Sequence, residues 1–398
     1  MRISLVPRHR RQPPIAPGRS CLSLLDAAGP HAILGGQADA EELATPIVPG
    51  ADTLFGPRGV CLAHAEGPLF VCDTGHHRLL IWNRTPAVDR VPADFLIGQR
   101  DFRQEGRNGN SAVGATTLNV PTGVAAANCV LAVADAWNHR VLLWHGYPNG
   151  SHRRADVVLG QADFGGNLAN RGGGAPRADT LNWCYGVAIV DERLFVADTG
   201  NRRVLMWDRI PMMNAASADL VLGQRDFTTR DENAGEGAGA LGMRWPHGIT
   251  MLDGKLLVTD AGNNRIMVWQ KLPRANGVPC DFVLGQADMM GLDHNRAAYD
   301  PTAGALNMPY GLDVHGARLV VADTANSRLL GFDTNELAMG AAATHLAGQH
   351  DFINKGDNRW DLPRRDSLCW PYDVAGCGDA VVIADSGNNR ILLWRAGP

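Results

Sequence analysis

An all-β propeller of six four-stranded blades is the fold that this 398-residue sequence predicts, and two recurring signatures are the reason. An Asp-x-x-Asn-x-Arg motif begins at Asp73 and returns every 62 or 63 residues until Asp385. A Gly-Gln pair also occurs six times, from Gln37 to Gln349. Repeats of this kind are typical of arrays in which each unit buries its core against its neighbours.

Each repeat divides into four short apolar segments. In the third repeat they cover residues 186–190, 194–197, 203–207 and 219–223, and they are rich in Val, Leu and Ile. Gly, Asn and Asp occupy the gaps and favour turns. Four strands per unit, repeated radially, are the blades of a propeller.

The order of the signatures predicts how the ring closes. The first Gly-Gln pair precedes the first Asp-x-x-Asn-x-Arg motif, and the chain ends on a third strand at residues 391–394. We therefore expect residues 31–37 to supply the missing outer strand of the last blade, which removes a free sheet edge. Residues 1–28 are rich in Pro and Arg, and we expect a disordered tail there. Residues 29–398 then form one domain.

Composition excludes several classes of protein. The net charge of −4 gives no basic excess for binding nucleic acid or a membrane surface. No apolar run is long enough for a membrane-spanning helix, and no apolar segment of a secretory signal follows the N-terminal arginines. The eight cysteines do not recur at matching repeat positions, which favours a reduced, cytoplasmic protein.

The repeat resembles that of the NHL family. The segments Pro246-His247-Gly248, Val258-Thr259-Asp260 and Asn263-Asn264-Arg265 carry the resemblance, which covers about residues 31–396. Small departures are His76 in place of Asn, Cys184 in place of Pro and Asp373 in place of Gly. The resemblance implies a six-bladed propeller.

One face, called the top face here, carries the candidate binding site. About 15 loop residues join each outer strand to the next inner strand, and such long loops are usually functional. The Asp-x-x-Asn-x-Arg turn lies on the same face. Since every blade has this motif, we interpret it as structural, with Asp and Asn bonding turn backbone and Arg pairing with Asp.

Variable side chains are expected to surround the channel mouth. Each inner strand begins Pro-x-Gly, and the x positions lie around the axis. They are occupied by Arg58, Thr122, Tyr185, His247, Tyr310 and Tyr372. Asp373 adds a carboxylate in the sixth blade, and Trp183, Trp245 and Trp370 are placed to wall the mouth. We predict a ligand site here; the alternative is that the tyrosines only cover the ends of the blades.

Relatives of this fold suggest three further functions. The repeat is similar to that of the lyase that completes peptide amidation, which implies a zinc ligand at His247, but the other ring positions offer no second histidine. Lactonase-like propellers bind a cation on the axis, for which Asp373 alone is too little. NHL domains of animal regulatory proteins bind RNA on a basic top face, whereas arginines and acidic residues are interleaved in these loops.

The leading hypothesis is therefore a non-enzymatic binding scaffold for a protein or small-molecule ligand. The competing hypothesis is a metal-dependent lyase or hydrolase at the mouth, so the sequence leaves open whether the protein is an enzyme. We assign no catalytic residue, metal ligand or cofactor, and we expect neither a membrane nor a nucleic acid as partner.

Overall fold

Six sheets, each built on four antiparallel strands, surround a central channel, and each corresponds to one predicted blade. The computed structural model describes residues 21–36 and 47–397. The strands are β1 (Leu22–Ser23), β2 (Ala32–Gly35), β3 (Gly59–Leu62), β4 (Leu69–Asp73), β5 (Arg78–Trp82), β6 (Phe95–Ile97), β7 (Pro121–Ala127), β8 (Val130–Asp135), β9 (Arg140–His145), β10 (Val157–Leu159), β11 (Val187–Val190), β12 (Arg193–Asp198), β13 (Arg203–Trp207), β14 (Leu220–Leu222), β15 (Pro246–Leu252), β16 (Lys255–Asp260), β17 (Arg265–Trp269), β18 (Phe282–Leu284), β19 (Pro309–His315), β20 (Arg318–Asp323), β21 (Arg328–Asp333), β22 (His345–Ala347), β23 (Pro371–Cys377), β24 (Ala380–Asp385) and β25 (Arg390–Arg395).

The sheets confirm the predicted six-bladed architecture. Blades 1 to 4 are β3–β6, β7–β10, β11–β14 and β15–β18, in each case paired in chain order. Blade 5 contains β19–β22, and blade 6 contains β23, β24, β25 and β2. The inner strand of each blade packs beside the inner strand of the next, so the six form the channel wall. Among the described residues, no helix has the length and hydropathy of a membrane span.

Apart from the motif Asp and Arg at their top ends, the middle strands are largely apolar, because both faces of a blade are covered by its neighbours. In β8, all six residues are buried, as are all five in β13. Third-strand tryptophans fill the space between blades and still satisfy their indole N–H groups. Trp144 Nε1, for example, donates to the carbonyl of Arg153 at 3.0 Å.

The N-terminal segment closes the ring as predicted. Strand β2 pairs antiparallel with β25 over Ala32 to Gly35, which gives blade 6 its fourth strand. The folded region also begins earlier than residue 29, the predicted boundary. Strand β1 pairs in parallel with β22 on the outside of blade 5, and Leu24 and Leu25 are buried between blades 5 and 6. Residues 1–20 of the predicted tail, and Gln37, lie outside the described residues.

Two sets of 3-10 turns shape the top face. The first set follows the motif aspartates at Thr74–His76, Ala136–Asn138, Thr199–Asn201, Ala261–Asn263, Thr324–Asn326 and Ser386–Asn388. The second lies in the long loops at Arg107–Asn110, Ala169–Gly172, Glu232–Gly235, His294–Ala297 and Asp357–Trp360. The antiparallel order of the strands brings both sets to the same face.

Every blade has a buried Asp–Arg ion pair at its motif turn, and this pair is bonded to the long loops. In blade 2, Arg140 Nε donates to Asp135 Oδ2 at 2.7 Å, and neither side chain is exposed. Asn138 donates to the same carboxylate oxygen and to Asn108 Oδ1 in the long loop. Arg140 Nη1 donates to the carbonyl of Phe164 in the next long loop. The motif is therefore the structural element that holds the top loops, in agreement with the interpretation from its sixfold recurrence.

We predict that removing residues 1–36 destabilises the propeller far more than removing residues 1–20. The longer deletion removes Leu24, Leu25, Ile33 and Leu34, which are buried, and exposes the edge of β25. Burying one such side chain is worth about 1.5–3 kcal/mol, so the loss amounts to several kcal/mol. Urea unfolding of the two truncated proteins measures the difference. Equal free energies of unfolding would show that the closing strand contributes nothing.

Candidate ligand site at the channel mouth

Five of the six predicted ring residues form a closed set of contacts across the channel mouth. Arg58 Nη1 donates to Tyr185 Oη at 2.6 Å. The ring centroids of Tyr185 and His247 lie 4.6 Å apart, and those of His247 and Tyr310 lie 4.4 Å apart. Tyr310 stacks on Tyr372 at 4.6 Å with an interplanar angle of 7°, and Arg58 lies 4.7 Å above the Tyr372 ring. These contacts cover the upper end of the channel.

Thr122 occupies the sixth ring position but does not join the ring. It is buried, and its hydroxyl donates to the carbonyl of Tyr185 at 2.8 Å. The short side chain leaves space above blade 2. Arg58 of blade 1 spans this space and reaches Tyr185 of blade 3, so Thr122 acts as a link between inner strands.

His247 is held as a neutral imidazole within the ring. Its Nδ1 donates to the carbonyl of Trp245 at 2.9 Å, because a carbonyl oxygen can only accept. Burial between two aromatic rings, together with the nearby Arg58 charge, lowers the pKa of His247 to about 3. Burial likewise raises the pKa of Tyr185 and Tyr310. The guanidinium of Arg58 therefore supplies the charge of the ring.

Asp373 lies below this ring, on the wall of a channel cavity of about 200 Å³. Its Oδ2 accepts from the backbone N–H of Val60 in blade 1 at 3.1 Å. Asp313 makes the equivalent contact one blade earlier, where its Oδ2 accepts from the N–H of Gly376 at 2.7 Å. Each carboxylate thus ties its own inner strand to the next one around the ring.

Enclosure in the channel shifts the titration of both carboxyls. Each side chain retains some surface toward the cavity but is shielded from bulk water. This burial raises the pKa of Asp373 to about 7 and that of Asp313 to about 6, and their mutual repulsion adds to the shift of Asp373. Both groups hold a proton at mildly acidic pH while ordinary surface carboxylates do not.

The mouth does not present a ligand set for zinc or calcium. Across residues 21–36 and 47–397, no three His, Cys, Asp or Glu side chains come close enough together to hold a metal ion. His247 packs between two tyrosine rings, and Asp373 is bonded to two backbone N–H groups, of Val60 and Val374. These residues therefore do not fit a zinc or calcium centre.

An open recess lies above the ring, and we call it the mouth recess. It has a volume of about 620 Å³, and Arg58, Tyr185 and Tyr372 contribute to its floor. Its walls are aromatic and are formed by Phe55, Trp137, Trp183 and Trp370. Phe55, Trp137 and Trp183 are 38%, 44% and 38% exposed, which is high for large aromatic side chains. The geometry therefore places Trp183 and Trp370 at the predicted wall.

A second opening, the side recess, lies beside the mouth recess above blade 3, and residues of blades 2, 3 and 4 line it. It measures about 410 Å³ and shares Trp137 and Trp183 with the mouth recess. The remaining residues of its lining are His139, Asn182, Thr199, Gly200, Arg202 and Trp245. Trp245, predicted to wall the mouth, lines this recess instead.

Sequence reasoning missed three residues of this region. Trp137 stands at a motif position that holds Gly in four repeats and Ala in one, so its size was a usable signal. Phe55 lies in a loop before the first inner strand and had no such signal. Asp313 follows the inner-strand glycine of blade 5 by two positions, where the other blades carry uncharged residues.

Comparisons with known proteins agree with the fold. The NHL repeat profile matches residues 243–269, and no curated protein matches the chain. A protein of unknown function from Bacteroides thetaiotaomicron VPI-5482 is similar in structure, with 13% identity, a TM-score of 0.51, and coverage of 93% of this chain and 75% of that one. The hydrazine synthase of Kuenenia stuttgartiensis matches at 12% identity with a TM-score of 0.48, and the match covers 86% of this chain and 96% of that one. At such low identity, the similarity to the first protein shows the fold alone.

The raised pKa of Asp373 predicts a specific pH dependence of stability. The carboxyl titrates at an ordinary value of 3.8 when unfolded and at about 7 when folded. The folded state therefore holds the extra proton between these values, and the stabilisation is lost as pH rises through about 7. The advantage of the wild type over Asp373→Asn in free energy of unfolding should shrink as pH rises from about 4 to about 7.

Urea unfolding at several pH values measures this difference. Taking the difference between two proteins cancels the opposite contribution of His247, whose lowered pKa makes its stabilisation disappear as pH falls. The exposed Asp208→Asn is the control. A wild-type advantage that stays constant over the whole range would contradict the prediction.

Proposed function

We propose that this six-bladed propeller of NHL-type repeats is a binding scaffold that holds a protein or small-molecule ligand in the mouth recess. The observation that carries the proposal is the convergence of Phe55, Trp137, Trp183 and Trp370 on one opening above Arg58. Contiguous exposed apolar surface on a soluble fold marks interaction sites, and aromatic residues with Arg dominate binding energy. Small ligands also commonly bind in recesses of this size.

The rim tryptophans stand at a position that is left-handed in five of the six blades, two of which carry Val120 and Met308 there. Trp183 and Trp370 have left-handed φ angles of 54° and 49°. This conformation is costly for bulky residues, typically about 1–3 kcal/mol each. Blade 1 places Gly56 at the equivalent position with a φ of 53°, where it causes no strain. Two blades therefore keep large aromatic side chains at a position where glycine is easier to accommodate.

The ring supplies a rigid floor for the proposed ligand. Arg58, Tyr185 and Tyr372 line the recess, while His247 and Tyr310 hold them in place by stacking. Asp373 and Thr122 fix the underlying inner strands to one another. In this proposal Arg58, Tyr185 and Tyr372 contact the ligand. The floor is positioned by the remaining residues, His247, Tyr310, Asp373 and Thr122.

Charge on the top face favours a protein or small molecule over a nucleic acid. Several loop arginines are already paired with acidic residues, namely Arg171 with Asp179, Arg225 with Glu236, Arg244 with Glu232, and Arg359 with Asp366. Paired arginines contribute less to phosphate binding than free ones. We also place the protein in the cytoplasm as part of this proposal, since all eight cysteines are free thiols.

The test of the proposal is a double variant, Trp137→Ala with Trp183→Gly. Each substitution introduces a residue that another blade carries at the same position, Ala325 and Gly56 respectively, so the fold should be retained. We expect the double variant to lose binding by about tenfold or more, because two aromatic contacts vanish. Quantitative mass spectrometry compares the host proteins that the immobilised wild type and the variant retain. Ligand-observed NMR compares the binding of aromatic fragments to the two proteins.

Trp360→Gly is the matched control. Trp360 is exposed on a top loop outside both recesses, and the equivalent loop positions of blades 3 and 4 carry Gly172 and Gly235. It should bind as the wild type does. A folded double variant that retains every ligand of the wild type would overturn the proposal.

A further inference from the structure

Neighbouring blades are joined at the top face by a repeated hydrogen bond. The residue between Asn and Arg of each motif has a left-handed backbone, and its side chain accepts from the N–H of the residue before the next inner strand. The pairs are His77 with Val120 at 3.0 Å, His139 with Trp183 at 2.8 Å, Asn264 with Met308 at 2.8 Å, Ser327 with Trp370 at 3.2 Å, and Asn389 with Gly56 at 2.8 Å. Five of the six junctions share this bond.

The junction between blades 3 and 4 is the exception. Arg202 occupies the acceptor position, and a guanidinium has no lone pair to accept a hydrogen bond. The N–H of Trp245 turns instead to Asp260 Oδ1 at 3.1 Å. Trp245 also does not share the left-handed φ of the corresponding residues in the other five junctions. Arg202 therefore replaces a structural hydrogen bond that the rest of the ring keeps.

Arg202 is only partly satisfied by its surroundings. Its Nη1 donates to the carbonyl of Arg230 at 3.1 Å, whereas its Nε is buried without a hydrogen-bond partner. Within the part of the chain that the structure describes, Arg202 makes no ion pair with any Asp or Glu, and the lining of the side recess contains no carboxylate. A buried donor on a cation without a partner carries a substantial energetic cost unless a ligand supplies an acceptor.

Two more hydrogen-bond donors line the same recess. His139 Nδ1 accepts from the N–H of Trp183, so the proton of this neutral imidazole lies on Nε2. Burial lowers the pKa of His139 and keeps it neutral. The side-chain amide of Asn182 has no hydrogen-bond partner among the described residues. Trp137, Trp183 and Trp245 complete the lining with aromatic surface.

We propose that the side recess binds a small organic carboxylate that carries a planar ring. The guanidinium of Arg202 matches a carboxylate in charge and in its two-donor geometry. The indole rings offer surfaces on which a planar ring stacks. The volume of about 410 Å³ is in the range of small-molecule sites. The side recess has a cation of its own, Arg202, although it shares Trp137 and Trp183 with the mouth recess.

The probes are naphthoate, naphthamide and naphthyl phosphate, titrated into the full-length protein by calorimetry. We expect naphthoate to bind about tenfold or more tightly than naphthamide, since only the former is an anion. Tighter binding of naphthyl phosphate than of naphthoate would overturn the choice of carboxylate. Absence of naphthoate binding, or equal affinity for naphthoate and the neutral amide, would overturn the site.

Arg202→Asn separates ligand binding from folding. Asn is the acceptor in two regular junctions, at Asn264 and Asn389, so the variant should keep or gain thermal stability. Naphthoate affinity should fall about tenfold or more. Arg209→Asn removes an equal charge at an exposed position on the opposite face and should leave affinity unchanged. Arg202 lines the side recess and not the mouth recess, whereas the double tryptophan variant alters both. A ligand that the double variant loses and Arg202→Asn keeps is therefore assigned to the mouth recess.

Discussion

The buried Asp–Arg pair of each blade is the interaction on which the rest of the structure depends. Each pair is fully enclosed, as with Asp135 and Arg140, and a buried pair is tolerated only when all its polar atoms are bonded. The remaining donors of Arg140 reach loop carbonyls before and after it, at Thr117 and Phe164. One ion pair thus positions two long loops, and six copies hold the top face around the axis.

A constant scaffold permits variation at the positions it presents. The motif turns and inner strands have the same structural role in every blade. The ring positions at the mouth nevertheless differ and include Arg58, a histidine and three tyrosines. Because each of these side chains finds its partner in another blade, the ring is one cooperative unit. The closing strand β2 matters to it for the same reason, since opening blade 6 would release Tyr372 from Tyr310.

Departures from the repeat coincide with the polar and aromatic features of the top face. Arg202 removes a junction bond and lines a recess, and Trp137 fills a small-residue position and walls two recesses. Arg202 also leaves a buried donor unsatisfied, which is expected where a fold has been adapted to bind something. Asp313 and Asp373 differ, because their bonds tie inner strands together.

The sequence by itself determined the blade number, the strand order, the closure by residues 31–37 and the face on which a site should lie, because repeat spacing and signature order depend only on position along the chain. Tertiary structure decided which side chains meet. Arg58 reaches Tyr185, 127 residues away, because the short Thr122 lies between them on the ring. That contact, like the grouping of Trp137 with Trp245 around Arg202, depends on curvature and side-chain length, which a linear pattern does not contain.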